Sequence, residues 1–203
     1  MVRIFLRLFF ILALLAPFTP AYGQQSDSVS VNFFFPGDDF QRQLLQYQNI
    51  NALSVKLTSA TPCTFHLEMV KSDNGTITRK PFEVYPTKLS ADTTVITIIA
   101  APYKNDSIRI GTHNIGDIIE TYPAALLIEA LPLRTYSTSD TIPLMAYSQG
   151  YKRTYNFNGK NVTSYDICGV RFSKKHPAEW GKEFGIDKYL WFELIPGRTD
   201  ERE

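Results

Sequence analysis

Cysteine and histidine are both scarce in this chain: of 203 residues, two are cysteine, Cys63 and Cys168, and three are histidine. With two thiolates 105 residues apart and no Cys-x-x-Cys pair, a structural zinc framework is not expected. A small scaffold stapled by several disulfides is excluded on the same count. Charge of one sign is lacking too, with 21 basic residues against 20 acidic ones. Nucleic acid and anionic membrane surfaces are recognised through an excess of positive charge, and the overall balance offers none. No internal repeat and no Ser/Gly-rich linker divides the chain, so one domain is expected.

After residue 16 there is also no long hydrophobic run. Before it there is a short one: Arg3 and Arg7 precede an apolar block over residues 8–16, and Pro17 and Pro20 end it. Ala21 and Gly23 then place small residues ahead of Gln24. This is the pattern of an export signal over residues 1–23. The block is shorter than the roughly 20 residues that cross a bilayer, so no integral membrane segment is expected after cleavage. The expected location is the periplasm, the outer cell envelope or the extracellular space. The domain that remains, residues 24–203, carries 19 bases and 20 acids. In an oxidising compartment Cys63 and Cys168 are expected to form one disulfide, closing a loop of about 105 residues.

Strand signals dominate the rest. Residues 29–35 are apolar and run into Pro36-Gly37. Asp38 and Asp39 can cap a helix to about Gln48, with Phe40, Leu44 and Tyr47 on one face. Asn74-Gly75 separates residues 65–70 from 76–84, and Asn158-Gly159 separates 153–157 from 160–165. Asn-Gly suits the two positive φ angles of a tight hairpin turn, which predicts two hairpins. Residues 93–101, 107–110, 124–131, 166–172 and 188–195 read as further strands. Pro177, Trp180, Phe184 and Gly185 outline a short helix. The charged tail from about residue 198 is expected to fray. The fold class is therefore mainly β, antiparallel and β-sandwich-like, with one or two short helices; α+β is the alternative. Ten prolines in the exported part and uneven strand lengths oppose a membrane β-barrel.

One segment carries a catalytic pattern. Ala146-Tyr147-Ser148-Gln149-Gly150 fits A-x-S-x-G, and its Tyr-Ser-Gln-Gly resembles the nucleophile elbow of cutinase-like serine esterases. The resemblance implies Ser148 as nucleophile, His176 as base and Asp166 as its orienting carboxylate, in the chain order of α/β-hydrolases. An elbow requires a helix directly after the serine, to supply an oxyanion-hole N–H. Residues 151–155 instead read as a strand entering the second hairpin, so the expectation is a serine in a surface turn, with a serine esterase as the alternative.

His66 and Glu68 are two apart in a strand and share a face that could hold a metal, but the plainer reading is the polar face opposite Phe65, Leu67 and Met69. No metal or cofactor is expected. Tyr147, Tyr151, Tyr155, Phe157 and Tyr165 crowd around the second hairpin, with Trp180 and Trp191 beyond. Tyr151, Tyr155, Trp180 and Trp191 are the candidate binding residues, for a protein or a glycan. The function expected from these features is an exported binding or structural domain without chemistry of its own, a carbohydrate-binding module being one form of it.

Overall fold

A computed structural model describes residues 27–82, 87–89, 93–104, 107–112, 115–121, 125–130 and 133–197. Residues 1–23, expected as an export signal, and the tail from 198 lie outside the described residues, as does His113.

Every strand pairing is antiparallel. Six strands make the first sheet: β1 (Ser28–Phe34), β2 (Asn51–Ser59), β6 (Thr93–Pro102), β7 (Ser107–Thr112), β8 (Ile115–Thr121) and β10 (Thr135–Ser137). Their order across it is β10-β1-β2-β6-β7-β8. The second sheet contains β3 (Cys63–Asp73), β4 (Thr76–Pro81), β9 (Leu126–Glu129), β11 (Ile142–Ser148) and β14 (Lys188–Pro196), in the order β4-β3-β14-β11-β9. The short β5 (Thr87–Leu89) pairs with the start of β3. A third unit, β12 (Tyr151–Phe157) with β13 (Lys160–Asp166), is a two-stranded ribbon joined to neither sheet.

Alternation explains how the sheets meet. Val29 and Val31, Val55 and Leu57, Ile96 and Ile98, and Ile108 and Ile110 turn inward from the first sheet. Phe65, Leu67 and Met69, with Leu190, Phe192 and Leu194, face them from the second. Period-2 burial on both partners is what a sandwich requires, and it makes one continuous core.

The outer side of the second sheet is covered as well. Helix α2 (Cys168–Arg171), a 3₁₀ turn (Pro177–Glu179) and helix α3 (Trp180–Phe184) lay Val170, Trp180 and Ile186 over Val70, Ala146, Tyr189 and Trp191. Gly185, at φ 64°, ends α3 in the left-handed conformation that glycine adopts without penalty. Segment 166–172 was expected as a strand; beyond Asp166 it is a helical turn, so that Val170 reaches this second core.

Helix α1 (Asp39–Tyr47) begins where its sequence says. The Asp38 carboxylate accepts from the Gln41 N–H and the Gln41 side chain accepts from the Asp38 N–H, forming a capping box. Its apolar stripe, however, faces solvent: Phe40, Leu44 and Tyr47 are 73%, 45% and 88% exposed. Both Asn-Gly hairpins form as the turn chemistry demands, with positive φ at Asn74, Gly75, Asn158 and Gly159.

The expected disulfide is absent. Cys63 turns toward the inner side of the second sheet, where it packs against the sandwich core, and its Sγ contacts the Ser59 hydroxyl at 3.5 Å. Cys168 is exposed at the start of α2, in the layer on the sheet's outer side. A disulfide needs Cα atoms within about 7 Å, and two cysteines on opposite sides of one sheet do not meet that. Both are free thiols. Among the described residues, no helix is long and apolar enough to cross a membrane.

Candidate binding surface

The ribbon is built on a tightly defined base. β11 ends at Ser148, and the chain turns at Gly150, whose φ is 83°. A Cβ there would lie 2.3 Å from the Asp166 carbonyl oxygen, so only glycine lets the start of β12 approach the end of β13 this closely. Tyr151 then stacks on Phe184, with ring centroids 5.6 Å apart, and its edge lies against Gly169, where a Cβ would come within 2.8 Å of the ring. Asp166 ties the base together. Its carboxylate accepts from the Gly169 N–H at 3.0 Å, from the Arg153 guanidinium at 3.0 Å and from the Tyr151 hydroxyl at 3.2 Å. The Gly169 N–H, followed by Arg153 and Tyr151, holds the Asp166 carboxyl below its ordinary value.

From this base the ribbon presents an alternating face. Tyr151, Arg153, Tyr155 and Phe157 project to one side, and their cross-strand partners Asp166, Ser164, Val162 and Lys160 share it. Tyr155 and Phe157 are 50% and 61% exposed, and Tyr165 on the opposite face is 58% exposed. A cleft of about 410 Å³ opens at the foot of the ribbon, with Arg153, Tyr155, Ser164, Asp166 and Cys168 among its walls.

The three residues of the esterase pattern are not brought together. Ser148 is buried at the end of β11, not in a surface turn, and its Oγ accepts from the Gly150 N–H at 3.0 Å. Asp166 is committed to Arg153, Tyr151 and Gly169. His176 caps the 3₁₀ turn, its Nδ1 accepting from the Ala178 N–H at 3.2 Å, while its Nε2 lies 4.0 Å from the Glu193 carboxylate. No hydrogen bond links any two of Ser148, Asp166 and His176. The segment after Ser148 is strand β12, so no helix start supplies an oxyanion donor. The A-x-S-x-G pattern has its own structural reason: the serine ties down the turn, and the glycine permits the close backbone approach.

Trp180 and Trp191 are core residues and present no binding surface. They are 1% and 0% exposed. Each indole N–H has a partner, the Lys175 carbonyl at 3.1 Å for Trp180 and Glu193 Oε2 at 2.8 Å for Trp191. Tyr189 lies between them, with ring centroids 5.8 Å from Trp180 and 5.7 Å from Trp191.

The same outer face holds a charge cluster invisible in the sequence. Glu193 is fully buried and ion-paired with Arg79, which also reaches Glu68 at 3.5 Å. His176 packs edge-on to Trp191 beside this pair. Burial, more than any neighbouring charge, pushes His176 below the ordinary histidine value; Glu179 opposes that shift and Arg79 adds to it. His66 and Glu68 share this outer face as expected, but Glu68 is turned to Arg79. Among the described residues, no group of three or more His, Cys, Asp or Glu side chains is placed to hold a metal.

No protein-family model, curated protein or solved structure matches this chain. The surface must therefore be read from its own chemistry. Arg153 and Phe157 were not among the binding residues expected from sequence, although the alternation Tyr-Lys-Arg-Thr-Tyr-Asn-Phe over residues 151–157 already carried the signal of a one-sided platform.

Proposed function

We propose that the protein is an exported binding or structural domain of the cell envelope or extracellular space, with no chemistry of its own, and that the β12–β13 ribbon is its contact element. One observation carries this reading. The ribbon lies outside both sheets, yet it exposes Tyr155, Phe157 and Tyr165 above a base fixed by Asp166, Tyr151 and Gly150. Large aromatics of this kind supply contact area at low conformational-entropy cost, which is why they are enriched in interfaces. The ribbon reaches the second core through Tyr151 at its base, and gains little stability from displaying aromatics farther along.

Sedimentation with insoluble envelope material from the source cells tests the reading. Wild-type protein co-sediments, and a Tyr155→Ser/Phe157→Ser double variant with an unchanged circular dichroism spectrum stays in the supernatant. Equal retention of both proteins removes the ribbon from the proposal. Fluorophosphonate labelling of folded protein that disappears in Ser148→Ala overturns the claim that it does no chemistry. For export, a secreted species beginning at Gln24 is expected by mass spectrometry, and a chain retaining residues 1–23 in the cytoplasm contradicts it.

A further inference from the structure

The near-neutral total charge hides a segregation. Between residues 151 and 175 the chain carries six bases and one acid, whereas the remaining residues carry 15 bases and 19 acids. The basic segment is the ribbon together with α2 and the loop that follows. Lys152, Lys160 and Lys174 are exposed and form no ion pair among the described residues. Arg171 is ion-paired with Glu129 at 3.2 Å and lies over the exposed Phe172 ring. A partner meeting this surface is steered by a positive field.

The cleft inside that field has different chemistry. Arg153 spends one guanidinium N–H on Asp166 and its side chain remains 60% exposed, which leaves it further N–H donors. Asp166 neutralises its charge locally. The cleft therefore combines donors from Arg153, a donor and acceptor from Ser164, an acceptor from Asp166 and the face of Tyr155. Donors and acceptors beside an aromatic ring match the hydroxyls and the C–H face of a sugar ring. The cleft is widely open to solvent, as a groove for one ring of a longer chain would be.

Building on the reading of the ribbon as contact element, we propose that this surface binds an acidic saccharide chain, one ring seated against Tyr155 with its hydroxyls on Arg153, Ser164 and Asp166. Carboxylate or sulfate groups on neighbouring units face Lys160, which shares the Tyr155 side of the ribbon. An acidic peptide added to a free ribbon edge fits less well. Lysines on both strands discourage edge pairing, and strand addition would use neither Tyr155 nor the cleft.

Isothermal titration of the exported domain against three acidic hexasaccharides tests the inference: an oligogalacturonate, a sulfated heparin fragment and an oligosialate. Cellohexaose and polyglutamate are the neutral and peptide controls. At least one acidic saccharide is expected to bind, more weakly as salt rises, and at least tenfold more tightly than either control. Tyr155→Ala and Arg153→Lys each cost at least tenfold; the lysine variant keeps the charge but loses the planar fork. Binding of none of the three overturns the saccharide, as does polyglutamate binding that is equally tight and indifferent to Tyr155→Ala. Such a failure is separable from failure of the ribbon reading, because envelope retention lost in Tyr155→Ser/Phe157→Ser keeps the ribbon as contact element for a partner of another class.

Discussion

Removing Arg79 isolates a charge in the protein's interior, and the cost follows from the geometry. Glu193 is fully buried, and Arg79 on the neighbouring hairpin is its ion-pair partner. In Arg79→Ala the carboxylate keeps the Trp191 indole N–H at 2.8 Å and the His176 ring at 4.0 Å, but no guanidinium. Breaking a buried pair from one side costs about 3–5 kcal/mol. The lower end, about 3 kcal/mol, is expected here, because the Arg79 side chain is 48% exposed and its removal admits water to the site. For a domain of this size that lowers Tm by roughly 6–12 °C. Glu193→Gln is the decisive background. The amide is neutral and still accepts from Trp191, so Arg79→Ala in that background should cost less than about 1 kcal/mol, a coupling of about 2 kcal/mol. Urea unfolding of the four proteins of this cycle measures it. Equal costs of Arg79→Ala in both backgrounds would refute the idea that an orphaned Glu193 charge is the cause.

Three further outcomes follow from other sites. Burial lowers the His176 pKa, so the folded state binds its proton less readily than the unfolded chain; stability from this group is complete above about pH 6.5 and declines as pH falls toward the lower folded-state value. His176→Asn keeps a capping acceptor without titrating, and its urea midpoint should vary less than wild type between pH 7.5 and pH 5; parallel curves would exclude His176 as the source. Gly150→Ala forces a Cβ onto the Asp166 carbonyl at an unfavourable positive φ, costing about 2 kcal/mol or more, and hydrogen exchange should accelerate across β12 and β13; an unchanged midpoint contradicts the close-approach argument. Denatured, unreduced protein should take up two alkyl groups, and in folded protein exposed Cys168 should react before half-buried Cys63; a species that alkylates only after reduction would restore the disulfide.

The features legible in the sequence are those set by residues a few positions apart. Asp38 marked the start of α1, the two Asn-Gly pairs marked both hairpin turns, and Gly185 marked the end of α3. Strand β2 is missing from the strands expected above, because after α1 the residues around Ile50 and Leu53 pass from helical spacing into alternation. Its place between β1 and β6 shows why Val55 and Leu57 are buried.

What sequence alone determined about this protein is its period-2 patterning, its turn and cap chemistry and the β-rich class that these impose. Tertiary structure decided the fate of each side chain. It set Cys63 and Cys168 on opposite sides of one sheet, buried Trp180 and Trp191, gave Asp166 to Arg153 instead of His176, and left the apolar stripe of α1 in solvent. It also paired Arg79 with Glu193 across 114 residues of chain. A backbone turn answers to steric limits within a few residues, whereas burial and charge pairing depend on which distant segments the sheet order brings alongside, and no local pattern encodes that order.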